Sequence, residues 1–187
     1  MIYELTKAAT QALREAGIPR QSLAPPSGPY LHRFLTAKIT AHAELAATSP
    51  GQRFISSGEI ARHPRFPEET LRAPNPLAVR VSGGVVIPDA LYGIDYGGKF
   101  RFFAIEADRG TEAIFGHGQG SSHIRGKVER YIAMLNTHAY KRAWGVPVLT
   151  VRFVSEQSNR SKNISVAIEK IVSSEIRTLF EVSTTAR

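Results

Sequence analysis

The stretch VVIPDALYGIDYGGKFRFFAIEADRG, residues 85–110, constrains the fold more than any other part of the chain. Two apolar runs flank Gly97-Gly98. Adjacent glycines are favoured in a two-residue hairpin loop, because type I′ and II′ turns require positive φ. Tyr96 then faces Lys99, and facing residues have numbers that sum to 195. Asp89 falls opposite Glu106 on one face, where Cβ atoms sit about 5 Å apart and like charges repel. Alternation puts Asp108 on that face as well, one step beyond Glu106. A strand end that looks built for a core thus carries three carboxylates, and buried charge is costly unless something pairs with it.

Carboxylate oxygens suit a hard divalent cation, with Mg²⁺ or Mn²⁺ the natural choices for phosphate chemistry. Such a cation polarises a phosphodiester and lowers the pKa of an attacking water. Asp89, Glu106 and Asp108 are therefore candidate metal ligands and catalytic residues. The same residues also fit a frayed hairpin end, with Asp89 and Asp108 solvated and Glu106 paired to Arg109, or a register slip at Pro88.

The segment SSHIRGKVERYIAMLNTHAY (121–140) predicts a helix capped by Ser121 or Ser122. Ile124, Val128, Tyr131, Ile132 and Leu135 form its apolar stripe, and Lys127 falls inside that stripe while Arg125, Glu129 and Arg130 point outward. An inward lysine needs an anion, and the hairpin carboxylates are the nearest candidates. Lys127 is then a catalytic candidate that orients water or steadies charge on a phosphorane; a lysine snorkelling at the helix start is the alternative.

The remaining pattern frames these residues. Residues 5–17 read as a helix ending on Gly17, 18–29 as a proline-rich linker, and 30–48 as a helix with Leu31, Leu35, Ile39, His42 and Ala46 on one stripe. His42 reads as a core histidine and Glu44 as surface. Residues 53–60 suggest a short strand and 61–76 a loop punctuated by prolines. Strands are expected at 77–81, 85–94 and 99–108, with Pro88 marking an edge or bulge, and a central strand at 146–154. A last amphipathic helix, about 162–182, turns Ile164, Ile168, Ile171 and Leu179 inward. The sum is a mixed α/β sandwich. The glycines of FGHGQGSSH (115–123) fit neither phosphate-loop fingerprint, so that segment reads as a loop, with His117 and His123 solvated.

With 187 residues and 42% apolar content, one main domain with a sizeable core is expected. No run approaches a membrane span, no secretory signal opens the chain, and the absence of cysteine excludes disulfides and thiolate chemistry. A cytoplasmic protein is the default. The net charge of +8 makes nucleic acid the first partner to consider, although the basic residues are dispersed. Lys141 and Arg142 are candidates for DNA contact by charge, with Tyr140 and Trp144 beside them fit to stack a base, although Trp144 fits the core equally well.

The order helix, strands, acid on one strand, acid-x-x on the next, helix, strand resembles PD-(D/E)xK nuclease-like domains, a restriction-endonuclease-like core with a mixed sheet flanked by helices. Pro88-Asp89 resembles the PD, and Glu106-Ala107-Asp108 stands where (D/E)xK would be. The stretch PDALYGIDYGGKFRFFAIEADRGTE…KVERY is similar to the replication-relaxation family of plasmids and other mobile elements. Asp89, Glu106, Asp108, Arg109, Gly110, Thr111, Glu112, Lys127 and Tyr131 match its pattern, and LHRFLTAKITAHAELA resembles its LxH helix through His32.

The resemblance spans about residues 30–155 and implies a metal-dependent, nuclease-like DNA-processing protein. It implies an Mg²⁺ or Mn²⁺ cofactor, phosphate contacts from Arg109 and Arg125, and support from Thr111, Glu112 and Tyr131. DNA, replication or mobilisation proteins and a second copy of the chain are the implied partners; no membrane is. Two departures stand out. Asp108 occupies the place of the motif lysine, so Lys127 would have to substitute for it, or the protein would be a non-catalytic DNA-binding or relaxosome accessory factor. Residues 1–29 resemble only the closing wing and helix of a winged-helix domain, implying a shortened chain in which 30–187 form the nuclease-like domain.

Overall fold

Gly97 and Gly98 take φ of 68° and 91°, and the Tyr96 N–H donates to the Lys99 carbonyl at 2.8 Å. The two-residue turn therefore forms with both glycines in the left-handed region, which only glycine adopts without strain. The strands it joins are numbered with the rest along the chain, in a computed structural model that describes residues 6–16, 29–110, 114 and 124–185. The elements are α1 (Lys7–Glu15), α2 (Tyr30–Ala46), β1 (Gln52–Ile55), α3 (Ser57–Arg62) and α4 (Glu68–Arg72). There follow β2 (Val79–Val81), β3 (Gly84–Val86), β4 (Ala90–Tyr96), β5 (Phe100–Asp108), α5 (Ile124–Asn136) and α6 (Ala139–Trp144). β6 (Thr150–Ser155), α7 (Ser158–Ile171) and β7 (Phe180–Thr184) complete the chain.

One mixed sheet, in the order β1-β4-β5-β6-β7, organises the molecule. β1, β4 and β5 are antiparallel neighbours, while β6 runs parallel to β5 and β7 parallel to β6. From Ala90↔Ile105 to Asp95↔Phe100 the β4–β5 pairs sum to 195, as the hairpin loop dictates. β5 is central and buried from Phe102 to Asp108. Its even-numbered residues Phe102 and Ala104 join the core under α5 and α7; Phe103, Ile105 and Ala107 pack beneath α2 with Leu35 and Ile39. The mixed α/β layering expected from the pattern is present. Among the described residues no helix is long and apolar enough to cross a membrane.

Several expectations need correction. The run 85–94 is two strands in two sheets: β3 pairs with β2 in a separate hairpin, and the chain breaks at Pro88 before β4. Residues 53–60 are half strand and half helix, because Ser56 and Glu59 close a capping box that starts α3. The helix after residue 121 divides at His138, whose φ of 52° interrupts the α-helical path between α5 and α6. The final helix stops at Ile171, where Val172 turns extended, and Phe180–Thr184 become a fifth strand. In α2 the buried line runs through Leu35, Ile39 and Ala47, leaving Leu31, His42 and Ala46 exposed. With half-buried Ala43 between Ile39 and the cap residue Ala47, a spacing of four at each step, not the three-and-four mix ending on Ala46, sets the inward face, so His42 is not a core histidine; Glu44 is exposed as expected.

Candidate functional site

Asp89 sits just before β4, where the ladder slips by one residue. Its N–H donates to the Ile105 carbonyl at 2.9 Å, although Ile105 is already the register partner of Ala90. The carboxylate consequently departs from strict opposition to Glu106. Oδ2 accepts the Ala107 N–H at 2.8 Å, and Oδ1 accepts from His32 Nε2 at 2.8 Å. The first turn of α2 thereby closes over the end of the sheet. The bond to Asp89 raises the His32 pKa above its ordinary 6.5, against the effect of burial, with the negative charge of Glu106 adding to the rise.

Glu106 lies on β5 beneath the start of α5, and its side chain is only 5% exposed. Lys127 and Tyr131 are four residues apart, hence on one face of α5, and both turn toward it. Tyr131 donates its hydroxyl to Oε1 at 2.6 Å, and Lys127 Nζ stands 3.1 Å from Oε2. The Tyr131 ring meets Phe153 edge-on at 6.4 Å, and Phe153 is the register neighbour of Glu106 on β6. Packing on the sheet thus fixes where the hydroxyl points. Burial, helped by the charge of Asp89, pushes the Glu106 pKa up to about 7, although Lys127 and Tyr131 both act to lower it. Burial and the adjacent Glu106 hold the Tyr131 hydroxyl well above its usual range, so it serves as a fixed donor.

Asp108 belongs to a different arrangement. Arg160, near the start of α7, donates from Nε to Oδ2 at 2.8 Å and from a second nitrogen to Oδ1 at 3.0 Å. This two-pronged pair ties α7 to the end of β5 with little exposure of either side chain. The alternative pairing of Glu106 with an arginine such as Arg109 does not form; Lys127 is its ion partner. Each hairpin carboxylate therefore has its own protein partner, where sequence spacing suggested three acids in mutual repulsion. Among the described residues no group of three or more His, Cys, Asp or Glu side chains is arranged to hold a metal ion.

The other basic candidates lie outward. Arg109 is half-buried, directly after β5. Arg125 pairs with Glu129 at 2.8 Å one turn along α5. Lys141 stands over the Tyr140 ring at 6.0 Å, and Arg142 donates to the Thr137 carbonyl at 2.9 Å. Trp144 is buried, its indole N–H donating to the Pro76 carbonyl at 3.2 Å, so it is a core residue and no exposed base-stacking platform beside Lys141. Thr111, Glu112, the glycine loop with His117 and His123, and the Ser121/Ser122 cap lie outside the described residues.

Two partners were not assigned a site role from sequence: His32 and Arg160. His32 carried a signal, since it stands on the inward side of α2 four residues before Thr36 and three before Leu35. Arg160 carried none, because only the return of α7 against β5 brings it within reach of a residue 52 positions away.

No curated protein and no solved structure matches the chain. The replication-relaxation family model matches residues 1–150, most of the length, and the chain belongs to the replication-relaxation family.

Proposed function

We propose that the Asp89–Glu106–Lys127 constellation is a metal-dependent phosphodiester-cleaving centre, acting on DNA in the replication or mobilisation of a mobile element. One observation carries this reading: a lysine ammonium 3.1 Å from one of two carboxylates gathered at the end of a central strand. The core order supports it: α2, the antiparallel strands β1, β4 and β5, α5 and the parallel strand β6 come in the order that the PD-(D/E)xK resemblance implies.

The donor set fits Mg²⁺ or Mn²⁺. A carboxylate offers about four lone-pair sites, and Asp89 and Glu106 each accept only two protein partners among those described. Magnesium is commonly held by one or two carboxylates plus waters and substrate phosphate, not by an all-protein cage. Asp89 and Glu106 would hold the ion, which when bound polarises the phosphodiester and acidifies water. The protein residues have separable tasks. His32 and the Ala107 N–H fix the Asp89 carboxylate; Tyr131 fixes Glu106. Lys127 holds positive charge at the Glu106 carboxylate, where it can hydrogen-bond an attacking water or a phosphate oxygen whose charge grows during reaction. Asp108 acts indirectly, by holding Arg160 and α7 against the strand. Arg109 and Arg125, on either side of the β5–α5 connection, supply phosphate contacts, with Thr111 and Glu112 in a supporting role between them; Lys141 and Arg142 extend the contact along α6.

A second reading is favoured by Asp108 itself. The place of the motif lysine is filled by an acid already bonded to Arg160, which suits a non-catalytic DNA-binding accessory protein on the same scaffold. Nicking of supercoiled plasmid separates the two. The catalytic reading expects nicking with Mn²⁺ or Mg²⁺, none in EDTA, and at least a hundredfold loss (an order-of-magnitude figure) in Glu106→Gln and Lys127→Met. Cation alone should also stabilise the fold by about 2.7 kcal/mol at a hundredfold excess over Kd. Binding of DNA with neither nicking nor metal stabilisation leaves the accessory reading.

A further inference from the structure

At the opposite end of β5 from Glu106, a cleft of about 690 Å³ opens between β1, α3, the start of β5 and the turn that follows α6. Four to six strand steps of about 3.3 Å put its floor and mouth roughly 13–20 Å from Glu106, so it is a separate place on the molecule. Its floor is apolar: Ile55, Ile60, Phe102 and Trp144 line it. At its mouth Phe100 is 48% exposed.

The rim is cationic. Arg53, Arg62 and Arg65 all line the cleft, and the only carboxylate among the lining residues, Glu59, already bonds Arg53 at 2.7 Å. Arg62 and Arg65 are exposed and form no ion pair among the described residues. Gly145 explains how the wall stays closed. At φ 66° it lies so near the Arg65 backbone that a Cβ there would stand 2.2 Å from the Arg65 carbonyl oxygen. The segment bearing Arg65 is thus pressed directly against the end of α6.

An apolar floor, an exposed aromatic ring at the mouth and guanidinium groups on the rim answer to a flat apolar ring carrying negative charge. We infer that this cleft binds an unstacked base of single-stranded nucleic acid, with the ring against Phe100 and the flanking phosphates on Arg62 and Arg65. A duplex keeps its base faces stacked inside and cannot present one; a strand with a free base can. The inference rests on the DNA reading of the first site but not on its chemistry, because base binding here requires neither a cation nor hydrolysis.

Trp144 provides a local reporter. It is the sole tryptophan, it lines the cleft, and its bond to the Pro76 carbonyl holds it in place. The full chain is titrated in EDTA with a thymidine dodecamer, with a blunt duplex of equal length and with poly-glutamate, following Trp144 emission and fluorescence anisotropy. The single strand should bind, change Trp144 emission saturably, and bind about tenfold more tightly than the duplex. Phe100→Ser should weaken single-strand binding about tenfold, within the range for loss of one stacked base, while Phe100→Tyr should retain it. Arg62→Glu with Arg65→Glu should weaken it further. All three side chains are exposed, so unchanged melting temperatures are expected and verify the fold.

No binding of the single strand overturns the inference. So does binding that leaves Trp144 and the variants unaffected, or an equal response to poly-glutamate, which would make the cleft a site for acidic peptide. If the cleft variants lose base binding but plasmid nicking fails in wild type as well, the cleavage reading falls and this one stands; the reverse pattern separates them the other way.

Discussion

The ammonium of Lys127 stands 3.1 Å from Oε2 of Glu106, while the Tyr131 hydroxyl, one helical turn further along α5, reaches Oε1 of the same carboxylate at 2.6 Å. Both oxygens of a buried acid are thereby held from one helix. Lysine and glutamate side chains are almost never buried unless paired, and here the pairing also locks the start of α5 to the end of β5. Structure and candidate chemistry share these atoms, so variants at either position must be read for stability before activity.

Lys127→Met keeps the aliphatic stem but leaves Glu106 facing Tyr131 alone. Removing one partner of a buried ion pair costs about 3–5 kcal/mol when the other charge cannot escape. Here Glu106 can escape by taking up a proton. The variant should lose on the order of 3 kcal/mol at pH 8 and clearly less at pH 5.5, as measured by urea unfolding. An equal loss at both values would mean that Lys127 stabilises through packing alone.

Glu106 and His32 both titrate higher in the folded chain than their ordinary values of 4.5 and 6.5. A raised folded pKa means that the native state holds protons the unfolded chain has released, so stability falls as pH rises. For Glu106 the fall begins near pH 4.5 and is complete once pH exceeds about 7; for His32 it starts near 6.5 and ends above its raised pKa. The melting temperature should therefore drop between pH 5 and pH 8. Glu106→Gln should flatten the lower part of that profile, and His32→Gln the upper part. The Glu106 share is on the order of 1–3 kcal/mol. Saturating Mn²⁺, if it binds the ionised carboxylates, should flatten the lower part in wild type too, because binding expels the proton. A profile identical in wild type and Glu106→Gln would remove this carboxylate as the source.

Local signals in the sequence carried the hairpin, and with it most of the candidate site. The Gly97-Gly98 turn and strict alternation set the register that brings the Asp89 end of β4 to Glu106, and the stripe of α5 brought Lys127 and Tyr131 to the same place. What escaped depended on distant parts of the chain. Arg160 meets Asp108 only through the packing of α7 on the sheet, and β7 exists because β6 offers it a parallel edge. The start of α3 is also legible: Ser56-Ser57-Gly58-Glu59 is a capping-box pattern, directly after the apolar pair Phe54-Ile55. The slip at Asp89 follows Pro88, the one residue in the run that marked a break in the strand pattern.

Asp108 and Arg160 test whether the third carboxylate serves structure. Their side chains are 3% and 13% exposed, so loss of Arg160 takes from a buried carboxylate its two-pronged ion partner. Arg160→Met, which strands the nearly buried Asp108 carboxylate, should destabilise by about 3 kcal/mol, and Asp108→Asn by less. The double variant should be less destabilised than the sum of the two, with a coupling energy of about 1–3 kcal/mol in a double-mutant cycle. If Asp108 works only through Arg160, metal-dependent stabilisation should persist in Asp108→Asn. Its loss there, with Asp89 and Glu106 intact, would return Asp108 to the candidate metal ligands.

Gly145 and Gly97 offer a matched pair for separating backbone strain from collision. Their φ values are 66° and 68°, so alanine meets the same left-handed penalty of about 1–2 kcal/mol at each. Their surroundings differ. At Gly97 the nearest atom to a new Cβ is the Gly51 carbonyl oxygen at 3.8 Å, an ordinary contact. At Gly145 the Arg65 carbonyl oxygen and carbon lie at 2.2 and 2.6 Å, and these are backbone atoms that cannot swing aside. Gly97→Ala should cost about 1 kcal/mol, or roughly 2–4 °C of melting temperature in a chain of this size. Gly145→Ala should cost at least about 3 kcal/mol, since only separation of the Arg65 segment from the end of α6 relieves the overlap. The same separation would widen the basic cleft, so the variant should also show increased acrylamide quenching of Trp144 while the hairpin variant does not. Equal losses at the two glycines would mean that the two segments are not held together at Gly145.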